Sequence, residues 1–321
     1  LERLSSLTFN SNKDSPLDEL FTLYMYFLRA KQRNTNTTTE ALRKFYEKDT
    51  YKALKSETTL DELEILIKFW YDVNNQDLNR FSDKILRLLF VLNYAPNGMW
   101  YYFVSVYFMH NKHSDGTLEE NAFLKFLERT IGFIWAYALT NPGVNALRTP
   151  IYREMVNLIN GKEVTFADFK FDRSNLEGII KNYRFLNQRQ ITRSMITWWA
   201  YQNSQQVLLP LESKFDIEHI YARNRVKNEP LKDEWNAELL GNKSLLEQRI
   251  NIRASDYRFA DKVKYYRGLQ GGRGEKEQTS ISELLTIANK KNDFTEDDIL
   301  NRNETIIKGF ITYLDQNELL K

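Results

Sequence analysis

The sequence contains no cysteine, and this absence excludes several kinds of site. Without thiols the chain can form neither disulfides nor thiolate nucleophiles, and it cannot hold a cysteine-ligated zinc ion or iron–sulfur cluster. Histidine is scarce as well, with three residues in a chain of 321. Because disulfides are rare in reducing compartments, the composition fits the cytoplasm, and we predict a cytoplasmic protein.

Long hydrophobic runs are also missing. The most apolar stretch, residues 99–109, contains Ser105 and is too short to cross a bilayer, which takes about 20 apolar residues. The chain does not open with a signal peptide, so we predict no association with a membrane. It begins at Leu1 rather than at an initiator methionine, and we therefore expect it to be a fragment of a longer protein.

Hydrophobic and aromatic residues, in contrast, are plentiful. They include 20 Phe, 18 Tyr and 6 Trp within a hydrophobic fraction of 42%, which is enough for a substantial core. Apolar residues recur at helical spacing through residues 1–185, and we predict an all-helical linker or scaffold region there. We expect Ser15 and Thr39 to cap helices, and 141–143 to break the pattern. The predicted helices cover 15–27, 39–46, 59–70, 83–92, 100–109, 118–139 and 150–159.

We interpret the aromatic residues of this first region as core packing. They lack the interleaved basic residues that are typical of surfaces on which nucleic-acid bases stack. Two of the three histidines, His110 and His113, lie near the end of a predicted helix in the same region. We expect them to be exposed rather than metal ligands.

The pattern changes in residues 186–321, where we predict a second domain. The predicted elements are a helix over 187–201, strands over 207–210 and 215–220, a helix over 244–253, a Gly-rich loop over 267–279, and helices over 281–290 and 295–320. We predict a capping box formed by Thr295 and Asp298. The net charge of the chain is only +2, but residues 183–273 carry 16 Lys and Arg against 10 Asp and Glu. This local excess favours a phosphate-backbone ligand.

The most specific stretch is 215–220, where Glu218 directly precedes His219 at the end of the predicted strand. A histidine can activate water because its pKa lies near neutrality. A divalent cation can act as Lewis acid and template, and hard cations prefer oxygen ligands such as a carboxylate, an asparagine oxygen and water. Asn242 and Asn251 follow downstream and offer such oxygens. The pattern therefore predicts phosphodiester hydrolysis.

The order of these motifs resembles the HNH-type (His-Me finger) nuclease half of the GmrSD-like type IV, modification-dependent restriction endonucleases. The matching residues are Asp216 to Ile220, Trp235, Leu240 to Leu246, Asn251, Ser255, Asp256, Phe259, Lys262, Phe294, Ile299 and Arg302. The resemblance covers about residues 186–321. It implies a mainly α (α+β) fold, in which an N-terminal helical region precedes a small ββα-metal core. That core would span about 205–265 and be embedded in helices, with closing helices at about 280–320.

The resemblance also implies roles for individual residues. His219 would deprotonate water, and Asn242 would buttress the histidine loop through backbone hydrogen bonds. Glu218 and Asn251 would bind the cation, Mg²⁺ or Mn²⁺, while Asp216 would share or replace the role of Glu218. DNA contacts are expected from basic residues in this part of the chain, namely Lys262, Arg249, Arg253, Arg193 and Lys243.

Two positions depart from the family pattern. Ala222 stands where the family usually has proline, and Lys243 with Ser244 replaces a Leu-Thr pair. Neither change removes a catalytic group. We expect them to affect rate and specificity.

The resulting prediction is a metal-dependent DNA endonuclease, the effector part of a phage-defence restriction system. The Asp-Gly-Gln-Gln-Arg-like sequence of the family's nucleotide-hydrolysing sensor domain does not occur here, so we expect that sensor on a separate domain or subunit. Pairing of two chains as a homodimer would let both DNA strands be broken. Two alternatives stay open: a catalytically weak or inactive DNA-binding module, and a helical interaction scaffold for a separate sensor protein.

Overall fold

The computed structural model describes residues 2–7, 15–38, 40–141, 143, 146–268 and 276–321. These residues form two compact units. The first unit comprises Leu1–Lys170 with Asn317–Leu319, and the second comprises Phe171–Gln316 with Leu320–Lys321. The boundary predicted between residues 185 and 186 lies inside the second unit, because the helix that begins at Arg173 packs against the last helix of that unit.

The first unit is helical. Its helices are α1 (Glu2–Ser5), α2 (Pro16–Lys31), α3 (Leu42–Tyr51), α4 (Thr59–Asn74), α5 (Asp83–Leu92), α6 (Met99–Asn111), α7 (Glu120–Thr140) and α8 (Arg148–Ile159). The helices predicted from apolar spacing are confirmed. The Ser15 side chain makes no capping hydrogen bond, so that prediction was wrong, although Pro16 does begin the helix. Thr39, the other predicted cap, and Pro142, in the predicted break, lie outside the described residues.

Aromatic side chains fill the core of the first unit. Trp70 and Trp135 are fully buried, and the rings of Phe69 and Phe108 stack with centroids 4.1 Å apart. The Trp70 indole donates a hydrogen bond to the Ser105 hydroxyl at 2.9 Å. The interpretation of these aromatics as core packing is confirmed.

The second unit contains helices around a two-stranded sheet. Its elements are α9 (Arg173–Asn182), α10 (Gln190–Ala200), β1 (Phe215–His219), α11 (Arg223–Asn228), β2 (Lys243–Glu247), α12 (Gln248–Ala254), α13 (Phe259–Tyr266), α14 (Ser282–Lys290) and α15 (Glu296–Gln316). Two 3₁₀ turns, Glu234–Glu238 and Leu240–Asn242, precede β2. The strands are antiparallel, with Phe215 opposite Glu247 and His219 opposite Lys243. The mainly α (α+β) class is confirmed.

Two local predictions in this unit were wrong. The helix expected over 244–253 is strand β2 followed by α12, because pairing with β1 buries Leu245 and Leu246 in the core. Residues 207–210 run as irregular backbone rather than as a strand. The capping box of the last helix is confirmed, since the Asp298 carboxylate accepts a hydrogen bond from the Thr295 backbone at 2.8 Å. Of the predicted loop at 267–279, residues 269–275 lie outside the described part.

Helix α15 holds the turn between β1 and β2 in place. Arg302 Nη1 donates to the carbonyls of Leu240, Gly241 and Lys243 at 2.9, 3.0 and 2.8 Å. The same guanidinium pairs with Glu283 at 2.7 Å. These bonds fix the start of β2, and with it the end of β1 that carries His219. Within the described residues, no helix is long and apolar enough to cross a membrane.

Candidate active site

The antiparallel pair of strands β1 and β2 presents polar side chains on both of its faces. Because side chains alternate along a strand, Asp216 and Glu218 project from one face of β1, and Ile217 and His219 from the other. Helices α12 and α13 follow β2 directly in the chain, and Asn251 on α12 and Lys262 on α13 contact the Asp216–Glu218 face. The strand pair thus separates a histidine cluster on one face from an acidic cluster on the other.

The histidine cluster is nearly closed to solvent. His219 is 8% exposed, and its Nε2 lies 2.8 Å from the Nζ of Lys243, directly opposite on β2. Lys243 is fully buried and donates further hydrogen bonds to Glu238 at 2.7 Å and to Asn187 at 2.9 Å. Arg223 pairs with the same glutamate at 3.1 Å. The departure from the family pattern at position 243 therefore places an ammonium group against the predicted catalytic base.

Burial keeps His219 neutral at physiological pH. Loss of hydration lowers its pKa to about 4, and the nearby charges of Lys243 and Arg223 act in the same direction against the opposing effect of Glu238. Burial likewise lowers the pKa of Lys243 to about 8, although its bond to Glu238 opposes this. Burial alone would raise the pKa of Glu238, but its hydrogen bonds to His219 and Lys243 lower the pKa to about 2. A neutral imidazole can accept a proton.

Folding stability is expected to rise with pH between about 4 and 6.5 through His219. Its pKa is lower in the folded chain, so the unfolded chain binds more protons in this window; the stabilisation is complete above 6.5 and is lost as the pH falls towards 4. The full effect is up to about 3 kcal/mol. Denaturant unfolding in EDTA at pH 4.5 and 6.8 measures it. His219→Gln should flatten this dependence, whereas the exposed His113→Gln should not; equal slopes in all three proteins would contradict the assignment.

Asn242 fixes the backbone that follows His219. Its side chain accepts a hydrogen bond from the Tyr221 backbone at 2.7 Å and donates to the Tyr221 and Ala237 carbonyls at 3.1 and 3.0 Å. Its own carbonyl accepts from the Ile220 backbone at 2.9 Å. The side chain is fully buried. Asn242 therefore ties the segment after β1 to the turn before β2.

The acidic cluster contains a buried ion pair. Glu218 and Lys262 are 3% and 1% exposed, and the Lys262 Nζ lies 2.7 Å from Glu218 Oε1. Lys262 also donates to the His219 carbonyl at 2.6 Å, and the buried Tyr266 hydroxyl donates to the same Glu218 oxygen. Burial raises the pKa of Glu218, while the lysine and the tyrosine act in the opposite direction. One oxygen of the predicted metal ligand is thus already occupied by an ammonium and a phenol.

A second acidic group lies beside this pair. Asp216 and Asn251 are half-buried, and the Asn251 amide nitrogen lies 3.4 Å from Asp216 Oδ2. A rotation of the amide by 180° would present its oxygen beside the carboxylate. Among the residues that the structure describes, no three His, Asp or Glu side chains form a group that could hold a metal ion. Asp216, Asn251 and the remaining oxygen of Glu218 nevertheless offer the oxygen donors that a hard divalent cation prefers.

The basic residues predicted to contact DNA fall into two groups. Lys243 and Lys262 are buried in the ionic contacts above, and their ammonium groups are therefore not accessible to a phosphate in this conformation. Arg193, on α10, donates to the Phe215 carbonyl at 2.6 Å. Arg249 is exposed and Arg253 half-buried on α12. His110 and His113, in the first unit, are exposed as expected.

Comparison with known families assigns this part of the chain. Residues 170–308 match the model described as GmrSD restriction endonucleases, C-terminal domain. The segment is a GmrSD-like C-terminal domain. No curated protein is significantly similar in sequence to the chain.

The GmrSD-like C-terminal domain contains every site residue described above. It begins one residue before the second unit and ends within α15, after Arg302. Sequence reasoning missed four residues of its clusters, Asn187, Arg223, Glu238 and Tyr266. Tyr266 carried a usable signal, since it lies four residues after Lys262 and thus on the same face of a helix. The partner of Asn187, Lys243, lies 56 residues away, and the sequence offered no signal for this contact. Glu238 lies five residues before Lys243, a spacing that does not place two side chains on one face of a helix or strand.

Proposed function

We propose that the second unit is a metal-dependent, HNH-type DNA endonuclease and the effector part of a phage-defence restriction system. One observation carries the proposal: within a GmrSD-like C-terminal domain, a neutral histidine ends β1 of a strand–strand–helix arrangement. The asparagine that ties down the loop after this histidine, and the acidic side chains on the opposite face of β1, support the same function.

In the proposed reaction, the attacking water displaces the Lys243 ammonium from His219 Nε2, and this nitrogen takes the proton from the water. Lys243 stays beside the imidazole, where its bonds to Glu238 and Asn187 hold it. Asn242 keeps the histidine loop from moving. Asp216 and Asn251, with the remaining oxygen of Glu218, would hold a divalent cation such as Mg²⁺ or Mn²⁺. When bound, it would supply Lewis-acid stabilisation of the phosphate and the leaving oxygen.

A supercoiled-plasmid assay tests the proposal. The wild-type chain is expected to nick or cut DNA with Mg²⁺ or Mn²⁺ but not with EDTA. His219→Ala is expected to lower the rate by about 100-fold or more, because a positioned general base contributes about 10²–10⁴-fold. His110→Ala, which removes an exposed histidine of the first unit, is the matched control and should retain full activity. Equal cleavage by both variants would contradict His219 as the base.

The proposal also names partners. DNA would be the substrate, and a nucleotide-hydrolysing sensor on a separate domain or subunit would direct the cut. We therefore expect no nucleotide hydrolysis by this chain. If the wild-type chain bound DNA in a salt-dependent way but cut it with no metal, the binding-module alternative would take its place.

A further inference from the structure

The segment of residues 183–189, which joins α9 to α10, lies beside the histidine cluster. Its Phe185 backbone donates a hydrogen bond to the Glu238 carbonyl at 3.1 Å. Asn187, in the same segment, accepts from the Lys243 ammonium, which in turn lies 2.8 Å from His219. Asn187 is thus linked to the proposed base, His219, through one intervening residue, Lys243.

An exposed tryptophan faces this segment. The Arg184 guanidinium lies 3.3 Å from the centroid of the Trp235 ring, yet the Trp235 residue remains 51% exposed. Trp235 and Glu238 are three residues apart in a 3₁₀ turn, so they lie on the same side of it. Glu238 contacts Lys243 in the histidine cluster. The indole is therefore on the side of the turn that faces the candidate active site.

The same segment holds a second stack of this kind. The Arg189 guanidinium lies 4.9 Å from the Tyr183 ring centroid, and both Arg184 and Arg189 are exposed. In the described part of the chain, neither arginine forms an ion pair with a carboxylate. An exposed cation–π pair contributes only about 0.5–1 kcal/mol, which does not account for leaving an indole in water. Two free guanidinium groups stacked on aromatic rings instead match a surface that binds phosphates and bases together.

We propose that Trp235 and Arg184 form a stacking platform for an unpaired nucleobase next to the phosphate that is attacked by the water activated by His219. The base stacks on the indole, while the guanidinium groups of Arg184 and Arg189 neutralise the adjacent phosphates. The faces of bases are covered by their neighbours inside a duplex, so the platform selects single-stranded DNA or a base displaced from the helix. This inference rests on the proposed nuclease function, because it places the substrate strand at that site.

Equilibrium binding tests the platform. In a His219→Ala background with EDTA, fluorescence anisotropy is measured with a 12-nucleotide single strand and with the duplex of the same sequence. Trp235→Leu is expected to weaken single-strand binding at least fivefold and duplex binding less than twofold, whereas Trp235→Phe retains most of the affinity. Arg184→Gln should weaken binding and reduce the slope of log K against log salt concentration by about 0.7.

The control is Arg3→Gln, which removes an exposed arginine lying over Tyr71 in the first unit and should change neither affinity nor slope. Circular dichroism of each variant verifies the fold. If Trp235→Leu left single-strand binding unchanged, or weakened duplex binding equally, the platform would be refuted while His219-dependent cleavage could still stand. If the parent bound neither DNA, both this inference and the proposed function would fail.

Discussion

Replacing Gly241 with alanine is expected to destabilise the second unit by about 4 kcal/mol or more. A Cβ atom at this position would lie 1.9 Å from the Ile299 carbonyl oxygen and 2.8 Å from the Asn303 backbone nitrogen. Both atoms belong to the backbone of α15, so no side-chain rotation relieves the clash. Moving α15 would also break the hydrogen bonds from Arg302 to the turn before β2. Denaturant unfolding followed by circular dichroism measures the loss.

Gly178→Ala is the matched control for Gly241→Ala. Gly178 lies inside α9 of the same unit, and a Cβ atom there meets nothing within 4 Å. Because alanine favours a helix interior over glycine, this change should stabilise the unit by about 0.5–1 kcal/mol. If Gly241→Ala were as well tolerated as Gly178→Ala, the close approach of α15 to the turn would be wrong.

The long helices could be predicted from the sequence because each one carries its own signal. Helix α5, at Asp83–Leu92, was predicted to the residue, since its apolar spacing and acidic first turn are local properties. The sequence pattern at Thr295 and Asp298 likewise requires only neighbours three residues apart. Features of this kind depend on the α-helical repeat and not on what the helix packs against.

The secondary structure of strand β2 could not be predicted from its local sequence. Its residues 243–247 continue into a helix, and a run of Leu245 and Leu246 with a polar flank fits either state. Pairing with β1, 24 residues away between His219 and Lys243, decides for the strand. The close approach at Gly241 depends on α15, which lies still further along the chain. Contacts between residues so far apart in the chain cannot be predicted from a sequence window of a few residues.

The exposure of the charged side chains could not be predicted from the sequence either. Lysine is usually exposed, so Lys243 and Lys262 were natural candidates for phosphate contacts. Both are buried, and each touches His219, one at the ring and the other at the carbonyl. No role was predicted for Arg184, which we propose contacts the phosphates of the bound DNA strand. Whether a lysine or arginine side chain is exposed depends on which carboxylate the fold places next to it.

Replacing Lys262 with methionine is expected to destabilise the second unit by about 3–5 kcal/mol at neutral pH. The change leaves the Glu218 carboxylate buried without a positively charged partner, and it removes the hydrogen bond to the His219 carbonyl. Lys264→Met, two residues away on α13, is the matched control. Its side chain is 57% exposed in a salt bridge with Asp261, so its loss should leave the stability nearly unchanged.

A double variant and a metal titration separate the ion pair from the role of Glu218 as a ligand. Glu218→Gln/Lys262→Met should recover a large part of the lost stability, because no buried charge is left unpaired. If Glu218 can bind a cation, Mn²⁺ should raise the melting temperature of Lys262→Met more than that of the double variant, since the ion would replace the missing ammonium. An equal shift in both would leave Asp216 and Asn251 as the residues that hold the ion. If Lys262→Met were no less stable than Lys264→Met, the buried pair itself would be disproved.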